Sequence, residues 1–268
     1  MISHTVSIMN RVRLKFRRLL LTGTLTIVLS SAALLLPVPQ VQAQTFFDRI
    51  QSLFNRKRDQ GAAAGRARGG SVRGVCPQIA NLSLIPLSPK SNQGLTVEEY
   101  PTFLFYLPFG RTDKVKSAEL LLLDKDEILG EPIRFLLPES PGMVSVRLPL
   151  DGKPLEIGKQ YKWYFSIICK EDEPSINPFV SGWIQRIEPS SDLVKQLQTL
   201  SPKDQYVAYV NNGIWYTAVD LLSQNREMHP EEWKSLLALF DLAKFARTPI
   251  TELLPEENQE VQSSAGQM

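Results

Sequence analysis

Between Gln160 and Lys170, the side chains of Tyr161, Trp163, Phe165, Ile167 and Cys169 fall at every second position. Alternation of that period marks a β-strand with one face on a core, so the rest of the chain has to supply an apolar layer to cover it. Six further runs qualify: Ile79–Leu87, Tyr100–Leu107, Ala118–Leu123, Ile128–Leu136, Met143–Leu148 and Phe179–Ile187. Turn formers separate them. These are Ser88-Pro89 with Asn92-Gln93-Gly94, Pro108-Phe109-Gly110, the charged hairpin connection Asp124-Lys125-Asp126-Glu127, and Pro149 with Gly152-Lys153-Pro154. About seven short strands with no long helical pattern between them predict a predominantly antiparallel β-sandwich, Ig-like in general architecture, over residues 76–188.

After Pro189 the period lengthens. Ser191–Leu200 reads as a helix with Ser190 or Ser191 at its N-cap, and Ser201, Pro202 and Asp204 start another. The latter buries Val207, Val210, Ile214, Ala218 and Leu221, with Asn212-Gly213 as a point of interruption. Trp233, Leu236, Leu237, Phe240 and Phe245 mark a last helix. Residues 189–250 are therefore expected to form a small C-terminal helical unit, the whole chain to be α+β, and residues 251–268 to be a polar disordered tail. One helix pair resembling a single TPR hairpin is too little for a solenoid.

At the other end, Arg11, Arg13, Lys15, Arg17 and Arg18 precede the apolar stretch Leu19–Leu36, and Pro37, Pro39 and Val41-Gln42-Ala43 follow it. This is the order of a signal peptide over residues 1–43, leaving Gln44 first after cleavage and placing the product in the periplasm or outside the cell. The alternative is an uncleaved anchor in the cytoplasmic membrane. Residues 44–75 comprise an amphipathic segment, with Phe46, Phe47, Ile50, Leu53 and Phe54 on one stripe, and a basic Gly/Ala/Arg-rich linker. Charge is distributed unevenly: residues 75–268 carry 18 basic against 26 acidic side chains, and loss of residues 1–43 turns the formal charge from +2 to −3. An acidic body gives no footprint for specific nucleic-acid binding, while residues 49–73 would make weak contact with anionic surfaces.

The residue inventory removes several chemistries. His229 is the only histidine beyond His4, and no Gly-x-Ser-x-Gly, His-Glu-x-x-His, Walker or dinucleotide-binding pattern is present. No catalytic residue, metal ligand or cofactor is assigned. Cys76 and Cys169 are expected to pair in an oxidising compartment, the alternative being two buried thiols. Trp163, Trp183, Trp215 and Tyr216 are candidate ligand-contact aromatics, and equally candidates for core. Glu98, Glu99, Asp124, Asp126, Glu127, Glu171, Asp172 and Glu173 flank strands or turns, and a fold that brought two of them together would allow acid/base hydrolysis of a glycan. Two functions follow: an exported, envelope-associated binding or structural module, whose partner is an unidentified envelope protein or glycan, or a carboxylate-dependent glycan hydrolase.

Four blocks in fixed order sharpen the class: Gly94–Pro108, Leu155–Phe165 with Cys169, Gly182-Trp183-Ile184-Gln185-Arg186, and Asn212-Gly213-Ile214-Trp215-Tyr216. In these the chain resembles domain-of-unknown-function family 928 (DUF928), a cyanobacterial family of exported proteins. The resemblance implies a signal-bearing protein with a shared domain and carries no reaction.

Overall fold

A computed structural model describes residues 38–56, 83–173 and 177–256. The leader up to Pro37, the linker from Lys57, Cys76 and the tail from Glu257 lie outside the described residues. The chain divides between Pro37 and Val38, and everything below concerns the unit that begins at Val38.

Two sheets form the expected sandwich. One orders β1 (Ile85–Pro86), β3 (Thr102–Leu107), β7 (Gly142–Arg147) and β10 (Ile250–Glu252). The other orders β2 (Gln93–Thr96), β9 (Phe179–Arg186), β8 (Gln160–Ile168), β4 (Ser117–Asp124) and β5 (Glu127–Ile128), with β6 (Ile133–Leu136) also paired to β4. Pairing is antiparallel except at two edges, where β2 runs parallel to β9 and β10 parallel to β7. The alternation in β8 is realised as read: Tyr161, Trp163, Phe165 and Ile167 are buried and the residues between them half-buried. Trp163 and Phe165 meet Phe103 and Phe105 of the opposite sheet, where Val144 and Val146 are also buried, and the rings of Phe105 and Phe165 stack at 4.1 Å. β3 does not alternate because both its faces are covered. Phe103 and Phe105 point into the sandwich, whereas Tyr106 meets the ring of Phe245 from the helical layer at 4.6 Å.

That layer holds α1 (Val38–Phe54), α2 (Ser191–Thr199), α3 (Tyr206–Asn211), α4 (Trp215–Gln224) and α5 (Pro230–Ala238). Ser190 is the N-cap of α2, its hydroxyl accepting from the Leu193 N–H at 3.2 Å. Asn212-Gly213 does interrupt its helix: Gly213 sits at φ +77, a conformation glycine adopts without a Cβ clash. α1 extends the expected amphipathic segment toward the N-terminus, through the expected cleavage position, and packs on α3 and α5. Phe46, Ile50 and Leu53 are buried there, and at about 1.5–3 kcal/mol per buried large apolar side chain they stabilise a helix that would be marginal alone.

Several segments differ from the sequence reading, among them the last helix, which ends at Ala238 with Phe240 and Phe245 beyond it. Gln93-Gly94 belongs to strand β2 rather than to a turn; the reversal is made one residue earlier by Asn92, at φ +57. Ile128–Leu136 is not one strand but two, separated at Gly130, φ +78. Ile250–Glu252, partly assigned to the polar tail, pairs with β7; Leu253 is buried behind it and Pro255 bridges to Phe135. The run Ile79–Leu87 contributes only Ile85–Pro86 as strand, residues 79–82 being outside the described set.

Candidate functional site

Three of the four aromatics proposed to touch ligand are core. Trp163, Trp215 and Tyr216 are 1%, 0% and 4% exposed. Trp163 Nε1 donates to Tyr216 Oη at 2.8 Å, Tyr216 Oη in turn donates to the Trp183 carbonyl at 3.3 Å, and Trp215 Nε1 donates to the Leu87 carbonyl at 2.8 Å. A buried indole N–H or phenol needs such a partner, and here the partners join the helical layer to the sandwich. Two glycines make room for the rings: a Cβ at Gly182 would lie 2.5 Å from Trp163 Cζ2, and one at Gly94 2.6 Å from Tyr216 Cε2. Trp183 is half-buried, with Lys162 Nζ 5.8 Å from its ring centroid.

Beside this joint lies a polar group that the sequence reading missed in part. Thr217 is buried on α4; its hydroxyl accepts from the Val97 N–H at 3.1 Å and meets the Thr96 hydroxyl at 3.1 Å. One turn on, Asp220 accepts from Gln224 Nε2 at 2.9 Å and stands 3.7 Å from Arg147 Nη2, whose Nε donates to Thr102 Oγ1. Burial first pushes the Asp220 carboxyl upward, against hydrogen bonds to Gln224 and Thr102 and the charge of Arg147. Glu98 is raised as well, by burial and then by the Asp220 charge, with Arg147 and Arg186 opposing. Asp220 was legible as an acid inside an otherwise apolar helix, Trp-Tyr-Thr-Ala-Val-Asp-Leu-Leu, where a carboxylate needs a partner.

The other acids of the hydrolase reading are dispersed. Asp124 pairs with Lys159 at 3.2 Å, Glu171 with Arg134 at 2.8 Å, Glu173 with Lys170 at 2.7 Å and Glu99 with Arg186 at 2.9 Å. Asp126, Glu127 and Asp172 are exposed. His229 stands at the start of α5, half-buried, its Nε2 3.2 Å from Asp204 Oδ1 and its ring 4.9 Å from that of Tyr206. Ser201 also donates to Asp204. In a Ser–His–Asp relay the hydroxyl must bond the imidazole, and here it bonds the carboxylate instead. Cys169 falls just beyond β8, half-buried, its N–H donating to Asn177 Oδ1 at 3.0 Å; its expected partner Cys76 lies outside the described residues. Among the described residues no group of three or more His, Cys, Asp or Glu is placed to hold a metal ion, and no helix is long and apolar enough to cross a membrane.

A cleft of about 670 Å³ opens at the opposite edge of the sandwich. Leu120 and Leu122 of β4, Leu129, Ile133 of β6 and Leu148 after β7 make its apolar lining, with Pro132, Pro149, Pro154 and Pro255 around them. Glu131, Arg134, Asp151, Lys153 and Glu256 set charges of both signs about it. Its volume falls within the range of small-ligand pockets, and apolar walls with a few polar groups are their usual composition. Two strongly exposed apolar residues flank it along the chain: Ile128, 52% exposed, precedes Leu129, and Leu150, 71% exposed, stands between Pro149 and Asp151. Neither Glu98 nor Asp220 lines it.

Residues 68–250 match the family described as Domain of Unknown Function (DUF928). No curated protein and no solved structure matches the chain.

Proposed function

The chain belongs to the DUF928 family, and on that premise we propose that it is an exported, envelope-associated binding module whose ligand lies in the cleft at the open edge of the sandwich. The observation that carries the reading is the cleft itself: apolar walls, a rim of mixed charge, and the exposed Ile128 and Leu150 beside it. Those features suit a ligand with an apolar body and a polar end, since the walls gain by covering carbon and the rim offers both donors and acceptors. The perturbed carboxylates support binding over hydrolysis, because the two acids lie at the joint with the helices and the cleft lining includes neither.

The test is titration of the purified full chain with a fluorescent medium-chain fatty acid and, separately, a fluorescent apolar peptide, in wild type and in Leu129→Trp. Saturable binding at one site, lost in Leu129→Trp while the melting temperature stays put, supports the cleft. No saturable binding of either probe, or binding unchanged by the tryptophan, removes it.

A further inference from the structure

A second cleft, of about 590 Å³, lies within the helical layer between α1 and the α2–α3 pair, where Arg49, Ser52, Arg56, Gln196, Asn211 and Asn212 supply its polar lining. We propose that it binds a phosphate group. Its lining has two guanidinium groups, a hydroxyl and three carboxamides, and no carboxylate. Arg111, Arg134, Arg147 and Arg186 each have an Asp or Glu within ion-pair distance, whereas among the described residues neither Arg49 nor Arg56 forms an ion pair, a state they share with Arg226 and Arg247 but in which they alone line a common cleft. The contrast is sharper because residues 75–268 carry an excess of acids.

Arg49 is held in place without its charge being neutralised, and Arg56 stands beside it at the same cleft. Arg49 donates from Nη1 to the Asn211 side-chain oxygen. Arg56 lies over Gly213, with its Nη1 3.0 Å from where a Cβ would stand, so any larger residue there would displace the guanidinium. Arg49 lies on α1 and Arg56 just beyond its C-terminal end, and the docking of Phe46, Ile50 and Leu53 turns that helix against α3. Five N–H donors on each guanidinium far exceed what Asn211 takes up. A tetrahedral anion with several acceptor oxygens is the ligand that satisfies two forks from one side and amide donors from the other. The C-terminal end of α3 also favours positive charge, but so short a helix gives one weak attraction and does not account for a second guanidinium.

The phosphate has two sources, a free ion or ester and a phospholipid headgroup, and the arms of the experiment separate them. The full chain is titrated calorimetrically with inorganic phosphate at 0.15 M salt, and sedimented with phosphatidylglycerol vesicles, in wild type and in Arg49→Gln/Arg56→Gln. Both proteins keep the basic linker, so any difference reports the cleft. The expected result is saturable binding in at least one arm, weakened about tenfold or more by the double substitution, with thermal unfolding unchanged. Binding in the phosphate arm assigns the free ion, and binding confined to vesicles assigns the headgroup. Failure of wild type to saturate in both arms, or equal binding by the double variant, overturns the proposal. Should the double variant unfold, Arg56→Gln alone, which breaks no hydrogen bond among the described residues, decides by the same criterion. This site shares no residue with the apolar cleft, so either stands if the other falls.

Discussion

The two long edges of the sandwich are finished in opposite ways. At the β2 edge a helix closes the structure: α4 lies on β2 and β3, Thr217 answers a backbone N–H next to the edge strand, and Tyr216 enters between Gly94 and Phe103. An exposed strand edge is a template for unwanted pairing, and covering it with a helix removes the hazard. At the other edge two short strands share β4, none of α1 to α5 lines the gap, and a cleft stays open between the sheets. One edge is built for stability and the other leaves apolar surface for something else to cover. The ways to test that division run from the sealed edge, where effects on folding are large, to the open edge, where they are small.

The largest loss belongs to Trp163→Ala. The ring is packed against Phe103 and Phe105 at centroid distances of 5.7 and 5.9 Å and hydrogen-bonded to Tyr216. Equilibrium urea unfolding at pH 7 should show about 3–5 kcal/mol less stability, the cost of deleting a fully buried large aromatic. A loss under about 1 kcal/mol would mean that the joint is not the centre of the fold. Next is Gly182→Ala, whose methyl would lie 2.5 Å from Trp163 Cζ2 and 3.0 Å from the Asn92 carbonyl oxygen; overpacking of this kind costs about 1–3 kcal/mol. Thr217→Val keeps the shape and removes the hydroxyl, leaving the Val97 N–H without its partner, at about 1–2 kcal/mol by the same assay.

How far the sealed edge was legible follows from these residues. The strand periodicity of β8 placed Trp163 on the core, because alternation is a local property of one segment. Nothing local in Gln93-Gly94-Leu95-Thr96 marks a strand, since its pairing partner is β9, some ninety residues on, and its glycine reads as a turn until Tyr216 is known to lie against it. For the same reason Trp215 and Tyr216, like Trp163 and Trp183 on their strands, were open between ligand contact and core: sequence gives the spacing of an element but not what the element lies upon. Ile250–Glu252 was hidden by its own Thr251 and Glu252 and by the nearby Glu256, as short edge strands need little apolar content. The cleft was not legible at all, because it is a gap between segments distant in sequence.

A smaller effect should appear at the same joint as a dependence on pH. Asp220 and Glu98 both titrate above their ordinary range, burial being the first cause in each. A raised carboxylate binds its proton more tightly in the folded state than in the unfolded chain. Its contribution to stability is therefore complete below the ordinary carboxylate range and is lost as pH rises through the folded value. Asp220, whose side chain is 13% exposed, should carry most of this, since Glu98 is exposed to solvent that screens it. Thermal melts between pH 4 and 7 should show wild type losing stability relative to Asp220→Asn as the pH increases. Parallel curves would show that the carboxyl is as well solvated folded as unfolded.

The smallest effect on folding is expected at the open edge, and it is the one that separates the edges most clearly. Leu129 is half-buried in the cleft wall, between Ile128, which is exposed, and Gly130, where an added Cβ would meet nothing within 4 Å. Leu129→Trp adds volume where space already exists, so it forces none of the rearrangement that makes overpacking costly at Gly182. Its stability by urea unfolding should stay within about 0.5 kcal/mol of wild type, as for a surface change. If it instead destabilises the fold as Gly182→Ala does, the gap is a soft part of the core and the distinction between a sealed and an open edge disappears. If stability holds and the apolar probes no longer bind, the open edge is accounted for by what the cleft accommodates.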